Sequence, residues 1–261
     1  MTNSLQSWLI PITPARRSGV RMICFPYAGA GAIIYRSWAA LLDPGIECFA
    51  IQPPGRGSRF REDLLSSVSE YARLASLAIR SLPADRPLIL FGHSLGALAA
   101  YETAVQLKRA DCQLDSLVLS GRQDPDSPCK REPISHLQND VFIEQMASYN
   151  GTPAEVLANP DLLELLLPMI KADFSMSEQY RGRSETKLGC RVFALGSRND
   201  DWLDADSLDQ WAKVTSGEFQ TQWFEGDHFY LNHHTEELVA FLCQKFAGQF
   251  ASASSSESVV R

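Results

Sequence analysis

The stretch PLILFGHSLGALAAYE, residues 87–102, sets the reading of the whole chain. An apolar run rich in strand formers stops at Gly92, presents His93 and Ser94, passes Gly96 and continues as an alanine-rich helix former. A strand, then G-x-S-x-G, then a helix is the context of a nucleophile elbow, a strained turn that lifts a serine to the carboxyl edge of a sheet. The two glycines have a steric task, because the turn brings strand and helix so close that side chains there would collide. Ser94 would then sit beside the free N–H groups of a helix start, which favour developing negative charge. Leu95 should offer one backbone N–H to an oxyanion.

Outward from this stretch, short apolar runs alternate with amphipathic stretches and turn signals, the pattern of an α/β fold with a parallel sheet covered by helices. Strands are expected over 20–26, 46–52, 87–93, 115–121, 190–196 and 219–225, with SWLIPIT near the start as an edge strand. Helices are expected around 32–42, 67–81, 95–108, 205–214 and 235–246. In SVSEYARLASLAIRSL, Val68, Tyr71, Leu74, Ala75, Ala78 and Leu82 recur three or four apart, so that one face packs on the sheet. The alternation breaks once, over 122–188, which reads as helices without a strand. That is far longer than an ordinary connection, and it is expected to cap the carboxyl end of the sheet, where ligands bind in such folds. The domain organisation that follows is one domain over 1–250 with this helical lid inserted, then a low-complexity tail, 251–261, expected to be disordered.

Composition narrows the function classes. The 261 residues, 45% hydrophobic, suffice for one large core. A formal net charge of -7 argues against a protein that binds nucleic acid through phosphate neutralisation. The six cysteines lie far apart with no C-x-x-C and no histidine at ligand spacing, so they read as reduced thiols and no metal site is expected. The first residues lack a leader pattern, and no run of about 18 apolar residues occurs, so the expectation is a soluble cytoplasmic protein without a membrane segment.

A serine hydroxyl needs a base to take its proton and a carboxylate to orient that base. In this architecture the expected chain order is serine, acid, histidine. Among five histidines, His93 lies inside the elbow and is expected to pack locally, His136 falls in the lid, and His233 and His234 open the last helix. His228, in FEGDHFYLNHH, follows the last strand through a glycine-containing turn, where a returning base belongs. The acid should follow the preceding strand, and ALGSRNDDW places Asp200 and Asp201 there. Asp200, nearer the strand, is favoured, with Asp201 as the alternate. Asp204, Asp206 and Asp209 read as a solvated face and a cap for the next helix.

A second oxyanion donor should come from the loop after an early strand. CFPYAGAGA, residues 24–32, has the small residues that let backbone approach a ligand, and Ala28 N–H is the candidate donor with Tyr27 as a wall of the acyl pocket. No G-x-x-x-x-G-K-[ST] and no clean G-x-G-x-x-G occurs, which leaves nucleotide binding poorly supported. PPGRGSRFRED gathers Arg56, Arg59 and Arg61, either as local ion pairs or as a contact for an anionic group on the substrate or its carrier.

Together, ICFPYAGAGA, IQPPGRGSRF, PLILFGHSLGALAAYE, GTPAEVL, LLLPMIKADF and GDHFYL resemble, in order and spacing, the type II thioesterases that accompany nonribosomal peptide and polyketide assembly lines. The medium-chain thioesterase acting with animal fatty acid synthase is similar too. The resemblance covers about residues 21–246. It implies an α/β-hydrolase with a mobile helical lid, no metal or organic cofactor, and an acyl group presented on the phosphopantetheine arm of an acyl or peptidyl carrier protein. It matches Ser94 as nucleophile, His228 as base and the N–H groups of Ala28 and Leu95 as oxyanion hole; a monomer is the default expectation. GSRNDDW departs from the G-x-x-D turn that commonly carries the acid in this family, which keeps Asp200 and Asp201 both in play. The same triad would also serve a hydrolase of small carboxylesters, whereas a noncatalytic binding module would not need serine, acid and histidine in that order.

Overall fold

β-branched and aromatic residues recur at every expected strand, and their side chains alternate between two faces of one sheet. The computed structural model describes residues 5, 7–15, 19–127, 129–182 and 186–246. Its strands are β1 (Leu9–Pro11), β2 (Val20–Phe25), β3 (Ile46–Ile51), β4 (Leu88–His93), β5 (Ser116–Ser120), β6 (Arg191–Ser197) and β7 (Phe219–Phe224), in the spatial order β1-β3-β2-β4-β5-β6-β7. All neighbours are parallel except β1, an antiparallel edge strand on β3, as SWLIPIT suggested. The tail 251–261 lies outside the described residues.

The helices are α1 (Val68–Arg80), α2 (Leu95–Arg109), α3 (Asn139–Ala147), α4 (Ala154–Leu157), α5 (Pro160–Gln179), α6 (Ala205–Asp209), α7 (Tyr230–His233) and α8 (Thr235–Phe246). On one face of the sheet Ile23, Phe25, Leu90 and Leu117 pack against α1 and α2. On the other, Met22, Cys24, Phe91 and Val118 pack against Tyr35, Trp38 and the α8 residues Leu238, Leu242 and Phe246. Ser67 starts α1 by accepting a hydrogen bond from Glu70 N at 3.2 Å, and the helix buries Val68, Tyr71, Ala75 and Ala78 as its periodicity required.

Two expected helices differ in kind. Residues Ala32–Ala40 form a 3-10 helix, because the side chains it must bury, Ala32, Tyr35 and Trp38, recur every third residue and eclipse one another in that geometry. The stretch 205–214 divides into α6 and a 3-10 turn, Gln210–Val214, that buries Trp211 and Val214. His233 falls in α7 and His234 at its end, ahead of the final helix.

Two features position the site. The strand order reverses between β2 and β4, since β3 continues from one side of this pair and β5 from the other; the connections that leave the carboxyl ends of such a pair turn to opposite faces of the sheet and leave a crevice between them. The segment between β5 and β6 supplies α3, α4 and α5, which gather Ile134, Phe142, Met146, Leu163, Leu167 and Phe174 into an apolar cluster of their own.

Candidate active site

The elbow is as tight as its glycines imply. Ser94 has φ 56 and ψ −115, a conformation costly for any residue with a Cβ. Its N–H is tied to Ser120 O at 2.8 Å. A Cβ on Gly92 would lie 2.1 Å from Gly96 O, and one on Gly96 would lie 2.2 Å from Phe25 O. Gly96 therefore lets the first turn of α2 rest on the end of β2, bringing Leu95 N beside the loop after β2. As the first residue of α2, Leu95 has an N–H with no acceptor inside the helix.

That loop is held by hydrogen bonds at nearly every peptide. Ala30 N donates to Tyr27 O at 3.0 Å, closing a turn with Gly29 at φ +80, the left-handed position a type II turn reserves for glycine. Gly29 N donates to Asp173 Oδ2 at 2.8 Å and Ala32 N to Gln52 Oε1 at 2.8 Å. The Ala28 N–H, just ahead of these committed donors, forms no hydrogen bond among the described residues.

The loops after β6 and β7 bring the expected acid and base together. Ser197 Oγ donates to Asp227 O at 2.6 Å and Asn199 N to Gly226 O at 3.1 Å, stitching the two loops. His228 Nδ1 then lies 2.7 Å from Asp200 Oδ2, and both residues are buried. Asp200 Oδ1 accepts from Trp202 N at 3.0 Å, and the Trp202 ring packs on the His228 imidazole at 4.5 Å. Asp201 points outward and is exposed, as are His136 and His233. Ser94 and His228 line one cavity with Tyr27, Ala28, Trp202 and Arg131. Ser94 Oγ forms no hydrogen bond among the described residues; contacts of this kind commonly tighten only when substrate binds.

Beneath His228 lies His93, fully buried, its ring 4.9 Å from the His228 ring. His93 Nδ1 pairs with Ser120 Oγ at 2.8 Å, and Ser120 Oγ with the Tyr230 hydroxyl at 2.6 Å. Its Nε2 faces the His228 backbone without completing a hydrogen bond. Burial first, and the nearby His228 second, push the His93 pKa well below the ordinary histidine value, so the ring is neutral. Gly121, at φ +61, packs against this ring, where a Cβ would come within 2.4 Å of Cε1.

Several lining groups carry no sequence signal of their own. The Arg131 guanidinium sits over Tyr149, Phe174 and Trp202 at 4.2, 4.9 and 4.5 Å, a cation–π arrangement that packs Trp202 between Arg131 and His228. A second, apolar cavity of about 240 Å³ adjoins the first, sharing Tyr27, Ala28, Tyr149, Phe174 and Phe229 and adding Ile34, Met146, Val156 and Ile170. Tyr27, which lines both, is edge-on to Phe229 at 5.1 Å.

The arginine loop is corrected in part. Arg56 is buried in a bidentate pair with Asp173, and Arg59 is buried between Gln52 O, Glu62 and the Trp8 ring. These two are held inside the protein and do not form a free anion-docking patch; Arg61 alone is exposed. Asp204 caps α6 as expected, accepting from Ser207 N at 2.7 Å. Among the described residues no group of three or more histidine, cysteine, aspartate or glutamate side chains could hold a metal ion, and no helix is long and apolar enough to cross a membrane.

Residues 20–246 match the thioesterase domain family. Gramicidin S biosynthesis protein GrsT of Aneurinibacillus migulanus is 31% identical over 244 residues, covering 93% of this chain and 95% of that protein. Thioesterase PikA5 of Streptomyces venezuelae is 34% identical over 232 residues, covering 88% of this chain and 82% of its own. Among solved structures, the type II thioesterase BorB from the borrelidin biosynthetic cluster superposes with a TM-score of 0.84 at 30% identity, over 92% of this chain and 98% of that one.

Proposed function

Because this chain belongs to the thioesterase family, with the fold of an α/β-hydrolase, we propose that it clears acyl groups from the phosphopantetheine arm of carrier proteins in nonribosomal peptide or polyketide assembly. Its reaction is thioester hydrolysis. The catalytic residues are Ser94 as nucleophile, His228 as base and Asp200 as the carboxylate that orients the base. The observation that carries this reading is the 2.7 Å contact between His228 Nδ1 and Asp200 Oδ2, in a cavity shared with the strained Ser94. With Nδ1 engaged by Asp200, Nε2 is the nitrogen left to take the serine proton.

In the first half-reaction Ser94 Oγ attacks the thioester carbonyl carbon while His228 Nε2 takes its proton. The carbonyl oxygen becomes an oxyanion and receives the N–H groups of Ala28 and Leu95, each worth about 3–4 kcal/mol in sites of this type. Collapse of the tetrahedral species breaks the C–S bond, and the imidazolium protonates the departing carrier thiolate. In the second half water attacks the acyl-serine carbonyl, giving a proton to His228; the bond to Ser94 Oγ then breaks, the imidazolium returns its proton to Ser94, and the carboxylic acid leaves. Tyr27 lines the acyl pocket, and the segment 122–188 is the lid over it. The setting that fits is cytoplasmic, with the chain acting as a monomer and meeting the acylated carrier protein as its partner. The biological task is editing, the removal of stalled or wrongly primed acyl groups that would block the carrier thiol.

The test is intact-mass spectrometry of a carrier protein loaded with acetyl or propionyl groups, incubated with the wild-type protein and with Ser94→Ala. Return of the carrier to its free-thiol mass with the wild type alone supports the reading. A carrier that stays loaded with both, while a p-nitrophenyl ester is cleaved by the wild type, would move the enzyme to small-ester hydrolysis.

A further inference from the structure

Asp173 lies on the buried side of α5, within the inserted segment, and is 2% exposed. Its Oδ2 accepts the Gly29 N–H at 2.8 Å and Arg56 Nη1 at 2.5 Å, and its Oδ1 accepts Arg56 Nη2 at 2.8 Å. Arg56 Nη1 also donates to Ala30 O at 2.9 Å. Gln52 holds the same ensemble from below, donating through Nε2 to Arg56 O at 2.8 Å and accepting Ala32 N through Oε1 at 2.8 Å.

These bonds brace the turn that carries one peptide plane. The Ala28 N–H and the Tyr27 carbonyl belong to the same rigid unit, and that carbonyl accepts from Ala30 N. Ala30 is in turn gripped at its carbonyl by Arg56, and Gly29, between them, is gripped at its N–H by Asp173. Rotation of the Ala28 N–H away from the crevice would break the Ala30 N–Tyr27 O bond of a turn whose next N–H and closing residue are held by the Asp173–Arg56 pair. A carboxylate near a forming oxyanion would oppose it electrostatically, and the bidentate guanidinium offsets that charge. A buried ion pair is weak evidence for stability in itself, because its desolvation cost rivals its attraction. Its placement is better explained by what it orients.

We infer that Asp173, together with Arg56, is a positioning residue for the oxyanion site: it fixes the turn that aims Ala28 N–H, making α5 part of the reaction geometry as well as a cover. This rests on the function proposed above.

The test compares two probes on the full chain. A trifluoromethyl ketone analogue of an acyl-pantetheine accepts Ser94 Oγ at its carbonyl carbon, the serine proton passing to His228 and the carbonyl electron pair becoming an oxyanion. The matching thioether binds without forming one. The variants are Asp173→Leu with Arg56→Met, an apolar replacement of the pair, and Asp173→Asn with Arg56→Met, whose amide oxygen still accepts from Gly29 N. In the leucine variant we expect ketone affinity and kcat both to fall 10- to 100-fold, since removing an oxyanion donor outright costs about 10²–10³ and a misaimed donor retains part of its effect. Thioether affinity, KM and the urea midpoint should stay within twofold, and the asparagine variant should recover most of the ketone affinity. Equal loss for both probes, loss for neither, or no recovery with asparagine would overturn the inference while leaving thioester hydrolysis intact. A wild-type protein that neither adds the ketone nor hydrolyses a carrier thioester would instead remove the functional reading, and this inference with it.

Discussion

His228 Nδ1 and Asp200 Oδ2 lie 2.7 Å apart at the ends of two neighbouring parallel strands, while Asp201, the next residue, faces solvent. The contact assigns different consequences to two chemically identical substitutions. Asp200→Asn should leave the fold intact and lower kcat for thioester hydrolysis by up to about 10⁴-fold, because an amide there favours the wrong imidazole tautomer and no longer stabilises the imidazolium. Asp201→Asn should stay within about twofold of the wild type. Steady-state kinetics on one acyl-carrier thioester checks both, and a reversed ranking would give the acid's role to Asp201.

The elbow makes a prediction about folding that is separate from catalysis. Gly92→Ala and Gly96→Ala each push a Cβ to within 2.1–2.2 Å of a backbone oxygen, and backbone cannot rotate aside as a side chain can. Each should cost more than about 3 kcal/mol in a urea unfolding series. Ser94→Ala should be neutral or stabilising by comparison, since it keeps the Cβ already accommodated there.

The sheet was legible in the sequence because each strand is a short apolar run bounded by turn residues, and the elbow because G-x-S-x-G falls between one such run and a helix former. Asp200 could be favoured only by its distance from the strand; what separates it from Asp201 is the stitching of Asn199 and Ser197 to the loop after β7, a long-range contact that local pattern does not encode. The arginine loop was ambiguous for the same reason. Arg56 meets a partner 117 residues further along the chain. The signal that could have found Asp173 is a lone carboxylate on the apolar face of LLLPMIKADF, beside Ile170 and Phe174. The aromatic cage around Arg131 draws on three separate segments and had no such signal.

The neutral, buried His93 gives stability a defined pH dependence. Its folded-state pKa is depressed below the ordinary value of 6.5, so below about pH 6.5 the unfolded chain binds a proton that the folded protein does not. Stability is therefore lost as pH falls from about 6.5 towards the folded pKa and is unaffected by this group above that range, at about 1.4 kcal/mol per pH unit. His93→Asn removes the titration. Although the substitution should lower stability at pH 8 by leaving space beside Gly121, its deficit relative to the wild type should shrink by up to about 2 kcal/mol at pH 5. Urea unfolding at the two pH values measures this, and a deficit that stays constant would show that His93 does not titrate differently on folding.

An acyl chain directed into the apolar cavity beside Tyr27 is expected to make turnover depend on chain length. Its walls come from the loop after β2 and from α3, α4 and α5, and at about 240 Å³ it is larger than the space next to Ser94. An acyl chain entering it buries methylenes worth about 0.8 kcal/mol each. Val156, half-buried on α4, can be enlarged with little expected cost to the core. Val156→Trp should lower kcat/KM for an octanoyl carrier at least tenfold while leaving an acetyl carrier nearly unchanged, because only the longer chain is expected to reach Val156. If the cavity instead receives the pantetheine arm, the same substitution raises KM for both substrates together. A chain-length series on the two proteins separates these outcomes, and parallel losses for acetyl and octanoyl would withdraw the acyl-chain assignment.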